Sequence, residues 1–181
     1  MKKKITLLLS LALAVAIGIG GTLAWLTAKT ESKVNTFTVG NINITLTEEA
    51  GGNTKEFKMV PGQTITKDPK VTVKEGSEAC WLFVKIEESA NLDDFISYAV
   101  ADGWTALTGV DGVYYREVAA TADDMPFSVL ANDQVTVMDT VTKAMMDEVT
   151  AQTAPTLTFT AYAIQQAGFN DAAAAWTEAS K

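Results

Sequence analysis

The chain has 181 residues, of which 48% are hydrophobic and 20% charged, a globular composition. Its net charge of −8 argues against nucleic acid as a partner, since phosphate binding needs a basic stripe. Histidine is absent, which excludes Ser-His-Asp and Cys-His nucleophiles, His-ligated zinc or haem, and histidine general bases.

Lys2, Lys3 and Lys4 precede an apolar run from Ile5 to Ile19. Gly18, Gly20 and Gly21 loosen its end, and Thr22-Leu23-Ala24 places small residues at −3 and −1 of a cleavage site. This is the pattern of a secretory signal peptide cut between Ala24 and Trp25. The alternative is an uncleaved anchor helix extending to Leu26, which would be the chain's membrane attachment. Cleavage leaves eleven basic residues against 22 acidic ones, a mature charge of −11. Such a domain is soluble and repels anionic surfaces.

Residues 34–47 alternate with period two, as a half-buried strand does. Phe37 and Val39 are odd while Ile42, Ile44 and Leu46 are even, so a bulge or break is expected at Gly40-Asn41. A turn follows in 49–54, then a short strand from Phe57 to Val60 and a Pro61-Gly62 turn. Asp68-Pro69 interrupts Ile65–Val73, which suggests that the second half starts at a sheet edge. After a turn at Glu75-Gly76-Ser77, Cys80–Ile86 is almost all apolar, as in a central strand covered on both faces. Cys80 itself reads as a buried small hydrophobe, and a lone cysteine closes no internal disulfide.

Leu92, Phe95, Ile96 and Ala99 then follow helical spacing, with Asn91 as cap and an end near Asp102-Gly103. Trp104–Leu107 and Val113–Val118 read as a hairpin. Phe127–Leu130 and Val135–Met138 read as another, around Ala131-Asn132-Asp133. Thr142–Val149 fits a helical turn or two, Thr156–Ile164 a strand, and Asn170–Ala179 a terminal helix capped by Asn170 or Asp171. Nine or ten short strands with two or three short helices in connections indicate an all-β fold, an antiparallel β-sandwich.

Several blocks resemble the TasA/camelysin family, exported proteins of Gram-positive bacteria whose signal peptides are cut by a SipW-type signal peptidase. The block Gly20-Gly21-Thr22-Leu23-Ala24-Trp25-Leu26-Thr27 is similar to that family's opening. So are Asn35-Thr36-Phe37-Thr38-Val39-Gly40 and Ile42-Asn43-Ile44-Thr45-Leu46-Thr47-Glu48. Val60-Pro61-Gly62-Gln63, Lys67-Asp68-Pro69-Lys70-Val71 and Ala161-Tyr162-Ala163-Ile164-Gln165 look like later blocks. The resemblance implies a jelly-roll-like sandwich secreted to the cell surface or extracellular biofilm matrix. It also implies assembly into fibres in which each subunit's N-terminal segment completes the sheet of the next.

The division expected is therefore a cleaved signal peptide over 1–24, a possible donor strand over 25–36, and a β-sandwich domain over 37–181. The candidate assembly residues are Trp25, Leu26, Thr27, Val34 and Phe37. The expected partners are further copies of the chain or related matrix subunits, and the signal peptidase. No cofactor and no metal site are expected. Some camelysin relatives are described as metallopeptidases, but no HExxH motif is possible without histidine. The acidic pairs 48–49, 87–88, 93–94, 123–124 and 147–148 read as solvated surface. Trp81, Trp104, Tyr114, Tyr115 and Trp176 read as core, with a sugar-binding face as the alternative. Arg116, the one arginine, reads as a strand-surface residue facing an acid. The leading expectation is a non-catalytic fibre or surface subunit. A monomeric extracellular module that binds glycan or protein is the alternative, and a camelysin-like peptidase the third reading.

Overall fold

The structure, a computed structural model, describes residues 40–48 and 59–181. Ten strands lie among them: β1 (Ile44–Glu48), β2 (Thr64–Thr66), β3 (Pro69–Val73), β4 (Cys80–Glu88), β5 (Ile96–Ser97), β6 (Thr105–Ala106), β7 (Val113–Val118), β8 (Met125–Ser128), β9 (Gln134–Val137) and β10 (Leu157–Gln165). Three helices accompany them, α1 (Leu92–Phe95), α2 (Lys143–Glu148) and α3 (Ala172–Ala179). Every pairing is antiparallel, and the sheets have the orders β1-β3-β8, β10-β4-β7-β6 and β2-β9-β5. The fold is an all-β antiparallel sandwich, as expected.

β4 is the central strand that its sequence indicates. Successive strand residues point to opposite faces, and nearly all of this strand is apolar. Cys80, Leu82, Val84 and Ile86 meet Val71 and Val73 from the facing three-stranded sheet and Val129 just after β8. Trp81 and Phe83 turn the other way and pack with Leu107, Val113, Ala172 and Ala175. Helix α3 is therefore the second cover of the sheet. Asp171 caps it, its Oδ1 accepting from the Ala174 N–H at 2.8 Å. Trp176 lies against Phe83 and Tyr162, with ring centroids 5.3 and 5.1 Å apart. A third cluster, around Leu92, Phe95, Leu130 and Val137, supports the small sheet.

Local chemistry explains several boundaries. The Val60–Gln63 turn closes with Gln63 N–H to the Val60 carbonyl at 3.0 Å, and Gly62 takes φ +74°, which a side chain would resist. The even face of β1 packs inward through Ile44 and Leu46, and Ile42 just before the strand joins them. Thr142 caps α2, accepting from the Met145 N–H at 3.2 Å.

Four expectations are corrected. β3 is the middle strand of its sheet, because Pro69 is its first residue and the missing N–H falls at the end of the ladder. Val129 donates to the Pro69 carbonyl, and the Val129 carbonyl takes the Ala101 N–H instead. The helix after Asn91 has a single turn, since Ile96 and Ser97 pair with Val137 and Thr136. Asn91 does not cap it: its Oδ1 accepts from Ser89 Oγ and its Nδ2 donates to the Thr153 carbonyl. Strands β8 and β9 are not a hairpin but belong to different sheets. Adjacent Val129 and Leu130 are both fully buried, in different clusters, and Asn132 and Asp133 take positive φ to turn the corner. Met59 and Val60 are irregular, while Phe57 and Lys58 lie outside the described residues.

Burial raises the Cys80 thiol from 9.0 to about 11. The folded thiol should ignore a thiol reagent at pH 8, and one equivalent should react after unfolding in urea. Because the unfolded thiol ionises first, this group's contribution to stability is complete below pH 9 and declines as pH rises toward 11. Phe83→Ala should cost about 3–5 kcal/mol in urea unfolding.

Candidate functional site: the open edge of the sandwich

Two strands end the sandwich on one side, β1 in the three-stranded sheet and β10 in the four-stranded one. Among the described residues neither has a strand on its outer side. The ladder decides which backbone groups face out. Ser89 N–H reaches the Thr156 carbonyl at 2.9 Å, and Gln166 N–H reaches the Ala79 carbonyl at 2.8 Å. The register between them is unbroken, so the even residues of β10 bond to β4. Leu157, Phe159, Ala161, Ala163 and Gln165 therefore aim their N–H and C=O groups outward. On β1, the bond from Lys74 N–H to the Asn43 carbonyl at 2.9 Å places the outward groups on Ile44, Leu46 and Glu48.

Two hollows follow this edge. One, of about 430 Å³, is lined by Gly40, Ile42, Ala163, Ile164, Phe169 and Glu178 among others. The other, of about 250 Å³, includes Leu46, Glu48, Lys67, Leu157 and Phe159. They lie at opposite ends of β10, with β1 running antiparallel to it across the gap. Ala163, a small residue, lines the first of them. β10 carries neither charge nor proline over nine residues. Such an edge offers an added strand a backbone ladder and somewhere to place its side chains.

One end of the groove is pinned by an ion pair. Lys67 Nζ lies 2.8 Å from both carboxylate oxygens of Glu48 and 5.4 Å from the centre of the Phe159 ring. Both side chains are largely buried, 16% and 11% exposed. The bond ties the β2–β3 connection to the end of β1.

The residues expected from sequence to carry cleavage and assembly, Ala24, Trp25, Leu26, Thr27, Val34 and Phe37, lie outside the described residues. The edge itself was not singled out from sequence, although the uncharged 157–165 run without proline was its signal. The aromatic residues are mainly core. Trp81 is buried and lies edge-on to Tyr115, and Trp176 covers Phe83. Arg116 does not face an acid. It is in register with Leu82, so it points into the sandwich, where its guanidinium stacks 3.9 Å from the centre of the Phe127 ring. Burial lowers its pKa.

The acidic residues are dispersed. Asp124 pairs with Lys74, and this bond, with a backbone N–H from Glu75, holds its carboxyl below the usual range. Glu87 pairs with Lys85 and Asp147 with Lys143. Glu88 accepts from the Tyr98 hydroxyl, whose pKa is raised first by burial and then by this bond. Among the described residues no three His, Cys, Asp or Glu side chains come together in a way that could hold a metal ion.

The fold is an antiparallel β-sandwich in which, among the described residues, β1 and β10 have no strand paired on their outer sides. Residues 1–94, just over half the chain, match the family described as camelysin metallo-endopeptidase, and the chain belongs to that family. No curated protein matches it, and no solved structure does. The family's description implies a catalytic metal. The described donors do not fit one, because the chain has no histidine and no three carboxylate or thiol side chains among the described residues come together. No catalytic step through a metal follows from these residues. Among the described residues no helix is long and apolar enough to cross a membrane.

Glu48→Gln should lower stability by about 1–3 kcal/mol in urea unfolding, because the bond it weakens is mostly shielded from water. Lys143→Ala, which breaks an exposed pair, should change stability by less than about 0.5 kcal/mol.

Proposed function

We propose that this protein is a secreted structural subunit of a cell surface or extracellular matrix, assembling head to tail by strand addition. In this reading the signal peptide is removed at Ala24. The freed segment 25–36, led by Trp25, Leu26 and Thr27, then adds to the β10 edge of another copy. The observation that carries the reading is β10 itself, a nine-residue uncharged edge strand with outward N–H and C=O groups beside two hollows. A contact of this type joins different surfaces on the two copies and does not close on itself, so it propagates into a filament. Membership of the camelysin family supports the reading, as does the dispersed set of carboxylates. The mature charge of −11 opposes assembly, so mild acid, which protonates carboxylates, favours it.

Electron microscopy of the protein exported by its native host tests the proposal. Filaments should appear with a subunit mass that begins at Trp25. Ala163→Pro removes an outward-facing N–H and leaves the β4 ladder intact, so it should abolish filaments while preserving the thermal transition. Single particles at high concentration and mild acid would reject the fibre reading.

A further inference from the structure

The two sides of the sandwich are finished differently. On the far side from β1 and β10, strands β7 and β8 would present the same kind of pairing edge, and several features use it up. β8 bonds to β3 through its odd residues, since Val129 N–H meets the Pro69 carbonyl at 2.9 Å and the register from Met125 to Ser128 is unbroken. Pro126 and Ser128 are therefore the outward-facing residues. Pro126 is exposed and has no N–H to offer. The Ser128 carbonyl already accepts from Trp104 Nε1 at 2.8 Å. Just beyond, residues 99–101 run antiparallel to 129–131, with Ala101 N–H to Val129 and Ala131 N–H to Ala99 at 2.9 and 2.8 Å. The outer edge of β7 is taken by β6, which has only two residues.

Arg116 completes this side. Its guanidinium enters between β7 and β8, stacked on Phe127 and 5.4 Å from the centre of the Trp104 ring. Its Nε is buried without a hydrogen-bond partner. A charge turned inward beside an edge costs desolvation, and a strand pairing there would bury it further. Prolines, very short edge strands and inward charges are the devices that keep an edge from pairing. Three of them coincide here, and β10 has none.

We propose that Pro126, Trp104 and Arg116 form a lock that closes the β7/β8 side to strand pairing. The β1/β10 side is then the one through which a second copy of this chain can be joined. The lock acts within each subunit, so it stands whether or not β10 takes a strand from a neighbour.

The test places Pro126→Thr and Trp104→Phe together, restoring an outward N–H and freeing the Ser128 carbonyl. Both go into an Ala163→Pro background so that β10 cannot contribute. Size-exclusion chromatography with light scattering should show roughly tenfold tighter self-association than the Ala163→Pro parent. Hydrogen exchange should show new protection at the amide of position 126. Arg116→Met, which keeps the stack but removes the charge, should also raise self-association while leaving the thermal midpoint unchanged or higher. Variants that stay as monomeric as the parent would overturn the lock. If the double change unfolds the protein, Pro126→Thr alone decides, since it alters one exposed residue. Filaments that survive Ala163→Pro would count against the β10 reading and leave the lock to be judged by these comparisons.

Discussion

The molecule depends on one strand that water cannot be allowed to reach. β4 presents Cys80, Leu82, Val84 and Ile86 on one face and Trp81 and Phe83 on the other. A strand without a polar face must be covered twice. The sheet β1-β3-β8 covers one side and α3 the other. Both of its hydrogen-bonding edges are used as well, by β10 and β7. The helix at the end of the chain is thus tied to the middle of the sequence by the need to bury Phe83.

Electrostatics in this chain is an economy of scarce cations. Acids outnumber lysines and arginine, 22 to 14, and the described lysines stand next to carboxylates at separate places on the surface. Most of those pairs are exposed and contribute little. Lys67 with Glu48 is the sheltered case, and it fixes one end of the open groove. The single arginine is used differently. Arg116 lies against aromatic rings inside the sandwich, where desolvation is a cost. That choice makes sense as control over what may pair at this edge.

The two sides of the sandwich differ in how the outward backbone groups of the described strands are disposed. Backbone N–H and C=O groups are the most general adhesive a protein has, and an exposed row of them pairs with any extended chain. On the β7/β8 side the Ser128 carbonyl is taken by Trp104, residues 99–101 pair with 129–131, β6 lies along β7, and Pro126 has no N–H. On the β1/β10 side the outward groups lie beside two hollows.

Much of this was legible in the sequence, because periodicity and turn chemistry are local. The apolar run 80–86 identified β4, the even face of Ile42, Ile44 and Leu46 identified the inward side of β1, and Pro61-Gly62 marked its turn. Thr142 preceded α2, and Asp171 capped the last helix. What failed were judgements that depend on neighbours distant in sequence. Asp68-Pro69 suggested an edge, yet strands from both sides cover β3. Ile96 fitted a helix by spacing, yet β9 claims it as a strand. Arg116 looked like a surface charge because its side of β7 is set by register with Leu82, which no local pattern reveals. The sequence alone thus determined which segments are extended, where the chain turns and which faces are apolar. Only the tertiary structure decided which strand is an edge, which backbone groups remain outward and which side is closed, because sheet order is set by contacts between segments far apart in the chain.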